Sequence, residues 1–143
     1  MPRNKQVSRK AISRPYAKTV RETPQNIDKR PVWRFSSTDK SGPFPWPIGE
    51  DAELVIVGKL HEFDSMTWDE ITGKQHHALS MESLSKEAIR RLEEIEFDDD
   101  HGSLFSFHIQ GQSRIIAIRH LNIAKLLWYD PGHKVSPSVK KHT

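Results

Sequence analysis

Between residues 104 and 143 the chain carries Arg114, Arg119, Lys125, Lys134, Lys140 and Lys141 against a single acid, Asp130. Within that stretch LLWYDPGHKV runs an apolar and aromatic segment into an Asp-Pro-Gly turn and leaves it on His133 and Lys134. A guanidinium holds a phosphate, an imidazole moves a proton near neutral pH, and aromatic faces stack on unpaired bases; an RNA-cleaving site needs these groups. His133, Arg114 and Lys134 are therefore the candidate catalytic residues. Arg119, Lys125, Tyr129, Lys140 and Lys141 are candidate nucleic-acid contacts. Regular alternation puts Arg114 and Arg119 on opposite faces of one strand, so the two are not expected to serve one site. Trp128 reads first as a core residue, and the competing reading of His133 is an ordinary turn histidine.

Other chemistry has less support in the sequence. DDDHG offers carboxylates for a hard cation, yet it lacks the twelve-residue spacing and closing Glu of a calcium loop, so an acidic turn is expected there. His76 and His77 are adjacent, which makes their side chains diverge in extended chain, and no HxxxH helix accompanies them. There is no GxxxxGK[ST], GxGxxG or GxSxG, and the GQS at 111–113 reads as a hairpin turn. The absence of cysteine removes disulfides, thiolate zinc sites and a Cys nucleophile together. Neither a metal nor a cofactor is expected.

Positioning these side chains requires elements that the hydrophobic pattern supplies. VWRFSS (32–37) alternates like a half-buried strand, and GPFPWPIG is a turn-rich connection that tucks Phe44 and Trp46 against the body. EDAELVIVGKLHEF fits either a helix or a short buried strand. Helix is preferred, with Asp51 as its cap and Leu54, Val57, Leu60 and His61 as its stripe. MTWDEI reads as one helical turn burying Trp68. SLSKEAIRRLEEI is the clearest helix, with Leu84, Ala88, Leu92 and Ile95 on one face, Ser83 or Ser85 as N-cap, and Arg90, Arg91, Glu93 and Glu94 on the solvent side. LFSFHIQ, SRIIAIR and IAKLLWY, separated by QGQ and HLN, form three strands of an antiparallel meander. The fold class is α+β: an N-terminal strand, helices, then the meander.

With 143 residues, 35% of them hydrophobic and 29% charged, the chain suits one small soluble domain with some disordered chain. Residues 1–30 hold nine Lys/Arg against Glu22 and Asp28 and show no helical or strand period. They read as a disordered basic arm over 1–31, a solubilising tail or electrostatic anchor, before a single α+β domain over 32–143. The arm has some transit-peptide composition but no amphipathic face. Basic ends flank an acidic middle, which would draw a polyanion to the ends. No apolar run approaches the roughly 20 residues of a membrane span, so no membrane partner is expected and the location is read as cytoplasmic.

From about residue 32 onward the sequence resembles a family of small uncharacterised bacterial proteins sharing an MTWDEI-like motif, an LSKEAxxRL helix, a GxxRIxxI hairpin and an LLWxDPxHxVxPS ending. More distantly, GQSRIIAIR followed by IAKLLWYDPGHKV is similar to the C-terminal half of RelE/ParE/YoeB-type toxins of toxin–antitoxin systems. That second resemblance implies helices packed on an antiparallel sheet and, as for many of these toxins, an mRNA endoribonuclease, ribosome-dependent or free, neutralised by an antitoxin protein; ParE-type relatives act on gyrase instead, so the fold alone does not fix the target. It also implies the phosphate-clamping arginine at Arg114, an acid or base at His133, and Lys134 or Lys125 as a secondary cation. Glu53 and Glu62 are further candidate bases. This sequence departs from the toxin pattern by inserting Asp130-Pro131-Gly132 before the histidine and by its basic arm. The alternative is a noncatalytic nucleic-acid- or protein-binding module.

Overall fold

The computed structural model describes residues 29–137. Its centre is the meander of β3 (Ser103–Gln110), β4 (Ser113–His120) and β5 (Ile123–Asp130), paired antiparallel in sequence order. Two-residue turns join the strands, and the first residue of each, Gly111 at φ 55° and Leu121 at φ 57°, takes the left-handed conformation that matches strand twist in tight hairpins. Asn122 secures the second turn: its carbonyl accepts the Val32 backbone N–H at 2.9 Å and the Trp68 indole N–H at 3.2 Å.

Two short edge strands complete a five-stranded sheet. β1 (Val32–Arg34) lies parallel to β5, and β2 (His77–Ala78) lies antiparallel to β3. The N-terminal strand is half the length that VWRFSS suggests, because only Val32, Trp33 and Arg34 find partners, at Ile123, Ala124 and Lys125.

Layers cover both faces of the sheet. On one face α1 (Asp51–Asp64) and the single turn α2 (Trp68–Ile71) bury Ile56, Leu60, Phe63, Trp68 and Ile71 against Phe105, Phe107, Ile115 and Leu126. The helix over 51–64 forms as expected, but its inward stripe differs. Leu54 is 73% exposed and His61 is exposed, because the Ile56, Leu60 and Phe63 positions face the sheet instead. Nor does Asp51 cap it. Glu50 is the N-cap without a side-chain bond, and Glu53 reaches back to the Gly49 N–H and the Trp46 indole, both at 2.8 Å. α2 has a complete capping box between Thr67 and Glu70, which explains how one turn persists.

On the opposite face α3 (Lys86–Glu94), capped by Ser85 on the Ala88 N–H, packs Leu84, Ala88 and Leu92 on Leu104, Ile116, Leu127 and Trp128. The expected stripe of this helix is present. Its charged face is not wholly solvated, however: Arg91 bonds both oxygens of Asp39, at 2.8 and 2.9 Å, while the Trp128 indole donates to the same carboxylate at 2.9 Å. Burial works against the charge on Asp39, but the Arg91, Trp128 and Ser41 donors outweigh it and hold the carboxyl below its ordinary range.

A bulge in β5 decides which residues reach the α3 face. Ala117 pairs with Leu126 but Ile116 pairs with Trp128, so Leu127 is an extra residue and the alternation resets. After the reset Trp128 and Asp130 point to the α3 side and Tyr129 to the α1 side. Among the described residues no helix is long and apolar enough to cross a membrane.

Candidate active site

At the turn end of the meander, on the α3 face, the strands present one row of three cross-strand neighbours. His108 on β3 pairs with Arg114 on β4, and Arg114 pairs with Asp130 on β5. The next row holds Ser106, and beside it at the sheet edge His77 pairs with Ser106. His133 closes the far side, three residues beyond the end of β5. These groups, with Lys74 and Ser83, line a cleft of about 490 Å³.

The turn that carries His133 is built by Asp130. This carboxylate is 1% exposed and accepts the backbone N–H groups of Lys134 and Val135, each at 2.8 Å. Val135, fully buried, then anchors the chain in the α3 core, and its carbonyl accepts the Ser85 N–H at 2.9 Å. A hydroxyl pair, Ser136 to Ser83 at 2.9 Å, ties the same segment across the cleft wall. His133 sits between these ties with φ 57°, a left-handed conformation that a side chain adopts at a cost glycine does not have.

The imidazoles differ in their commitments. His77 Nδ1 lies 2.9 Å from the Ala78 carbonyl, which fixes a proton on Nδ1 and leaves Nε2 open. His108 Nε2 lies 2.8 Å from the Gly111 carbonyl, leaving Nδ1 open. The His133 ring has no hydrogen-bond partner among the described residues. Burial first, and then the charge of Arg114, lower its pKa from the usual imidazole value; Asp130 opposes this in part. His76 belongs to the other face, edge-on to Phe63 and tilted against Phe107, where its Nδ1 accepts the His108 backbone N–H at 3.0 Å. Burial, assisted by nearby positive groups, holds its pKa down at about 4.

Arg114 has no carboxylate partner among the described residues. Its guanidinium donates only to the carbonyls of Gly111 and Ser113, at 3.4 and 3.2 Å. Asp130 stands opposite it but is occupied by the turn. A cation whose remaining donors face a cleft lined by imidazoles is suited to an oxyanion ligand.

Of the residues singled out from sequence, Arg114 and His133 share this cleft. Lys134 does not line it; its chain folds back beside Gly132. Arg119 is on the other face as alternation requires, with its guanidinium 4.0 Å over the Trp68 ring. Tyr129 also faces that side, half-buried against the α1 core, because of the bulge. Lys125 is on the correct face but at its opposite end, lining a separate hollow of about 390 Å³ with Ile118 and Leu127. Lys140, Lys141 and the arm over 1–28 lie outside the described residues. Glu53 and Glu62 sit on α1, across the sheet, with Glu62 paired to Lys59.

Sequence reasoning missed His77 and His108. The divergence of adjacent side chains, used against a His76-His77 site, is what sends His77 alone into the cleft. Strand alternation in LFSFHIQ could have placed His108 with Ser106, opposite the Phe105 and Phe107 face. Among the described residues only Asp98, Asp99 and Asp100 bring potential metal-ligand atoms together. They are exposed, and Asp98 already bonds the Asp100 N–H and His101.

No protein-family model matches the sequence, and no curated protein or solved structure shows significant similarity to it.

Proposed function

We propose that the protein is an endoribonuclease of the RelE/YoeB kind, acting on mRNA in the cytoplasm, free or on the ribosome, and held in check by an antitoxin partner. The observation that carries this reading is Arg114, free of any carboxylate partner among the described residues, in one cleft with the imidazoles of His133, His108 and His77. The meander with helices against it, and the resemblance of GQSRIIAIR and IAKLLWYDPGHKV to the toxins, support the same reading.

In this mechanism His133, kept neutral by burial and Arg114, takes the proton of an RNA 2′-hydroxyl as its oxygen bonds to the adjacent phosphorus. Arg114 and Lys74 offset the charge that develops on the phosphoryl oxygens. The bond from phosphorus to the 5′ oxygen breaks, and that oxygen receives a proton from Nε2 of a protonated His77. The products are a 2′,3′-cyclic phosphate and a 5′-hydroxyl. Asp130 holds the turn that aims His133, so it is a positioning residue. Lys134, Tyr129, Arg119 and Lys125 have no part in this step.

Expression in a bacterial host tests the proposal. Induced wild-type protein should arrest growth and shorten cellular mRNA, while His133→Ala at equal abundance should do neither. Salt-sensitive RNA binding without strand scission would instead support the noncatalytic binding module.

A further inference from the structure

The charges around the cleft are unbalanced. Lys74, Arg114, His77, His108 and His133 line it against one carboxylate, Asp130, whose oxygens already accept the Lys134 and Val135 N–H groups. The elements packed around it add no further acid to its lining: Ser83 comes from the turn before α3, and Ser136 from the segment after His133. Behind β2, His76 is engaged as an acceptor and faces Lys59 of α1, while Lys134 lies outside.

Within this group His133 is the imidazole best placed to change protonation with the ligand. Its ring has no engagement among the described residues, so either nitrogen can turn to the ligand, and Arg114 stands close enough to act on its charge, whereas His77 and His108 each keep one nitrogen on a carbonyl and have a single nitrogen left to offer. Left to the protein groups alone, burial and Arg114 favour its neutral form. A phosphoryl group with two negative charges against Arg114 reverses both influences, since it cancels the guanidinium field and offers an acceptor oxygen. An intact phosphodiester, with one charge, leaves much less negative charge after Arg114 is neutralised.

We propose that the cleft recognises a phosphoryl dianion together with one proton, taken up at His133, and therefore holds phosphomonoesters and the doubly charged phosphorane better than the intact diester. The proposal rests on the cleft assigned above to RNA cleavage and adds the charge state of what it binds. It also gives the site a preference for the transition state over the substrate, because the proton removed from the 2′-hydroxyl ends on the group that the dianion favours as a cation.

Calorimetric titration with sulfate, which stays a dianion across the neutral range, separates ligand protonation from protein protonation. Repeating it in two buffers of different ionisation enthalpy counts the protons. Wild-type protein should take up about one proton per sulfate, and affinity should fall about tenfold per pH unit above the His133 pKa. Arg114→Ala should lose binding, and His133→Ala should bind with a much shallower pH slope. A nucleoside 3′-monophosphate should behave as sulfate does but bind more tightly if the nucleoside contributes. A 2′-deoxy dinucleoside monophosphate, an uncleavable diester, should show little slope. Sulfate affinity independent of pH, or a slope undiminished in His133→Ala, overturns the proposal. RNA cleavage with a flat sulfate profile would remove this inference and leave the nuclease; a steep profile without RNA cleavage would do the opposite.

Discussion

Arg114 and Asp130 are direct cross-strand partners on β4 and β5, yet they form no ion pair. The carboxylate is turned to the Lys134 and Val135 N–H groups, and the guanidinium keeps its outer donors toward the cleft. One substitution therefore separates the two roles. Asp130→Ala leaves two N–H groups without an acceptor, one of them fully buried, and should cost roughly 1–3 kcal/mol in denaturant titration. It should also lower activity by releasing His133, whereas Arg114→Ala should lower activity and barely move stability.

His133 offers a sharper contrast between folding and function. At φ 57° a glycine is sterically easier than any side chain. His133→Gly is expected to melt at or above the wild-type temperature, with a gain of up to about 1 kcal/mol, while RNA cleavage is lost. A substantial loss of stability would show that the imidazole is there for packing.

Protonation of His133 can be followed directly by NMR. Because burial and Arg114 depress its pKa, its midpoint should fall below the usual imidazole value of 6.5, and Arg114→Ala should move it upward. The sign for stability follows. The neutral ring is the favoured form in the fold, so the group contributes nothing above its unfolded pKa and becomes destabilising as pH falls toward its folded pKa. His133→Ala should accordingly reduce the drop in melting temperature between neutral and mildly acidic pH.

Much of the scaffold could be read from periodicity, and the misreadings have local physical causes. Strict alternation in LFSFHIQ and the four-residue spacing of Leu84, Ala88 and Leu92 admit one solution each, and both elements form. The stripe of α1 did not, since LVIV and KLHEF offer apolar residues all round and tertiary contact with Phe105 and Phe107 selects Ile56, Leu60 and Phe63. The site was half legible. Arg114 and His133 were distinguished by residue type, but Tyr129 was drawn in because a bulge at Leu127 leaves no mark in composition. His77 reaches the cleft only through the pairing of a two-residue strand with Ser106, which no local pattern announces.

The α3 face provides a check on the scaffold independent of function. Leu92 is 3% exposed in the cluster with Leu104 and Trp128, so Leu92→Ala should cost about 2–5 kcal/mol. Glu93→Ala, on the exposed side, should be nearly neutral. Equal effects in chemical denaturation would mean that α3 does not cover the sheet as described.

The proposed cleavage of RNA through His133 and Arg114 would leave its signature at the new 3′ ends. Purified protein incubated with 5′-labelled mRNA, with and without translating ribosomes, gives the most direct reading when the new 3′ ends are characterised. Wild-type protein should yield fragments ending in 2′,3′-cyclic phosphate, Arg114→Ala far fewer, and His133→Ala and His77→Ala essentially none. RNA left intact by wild-type protein in both settings, or cut equally well by His133→Ala, would contradict it.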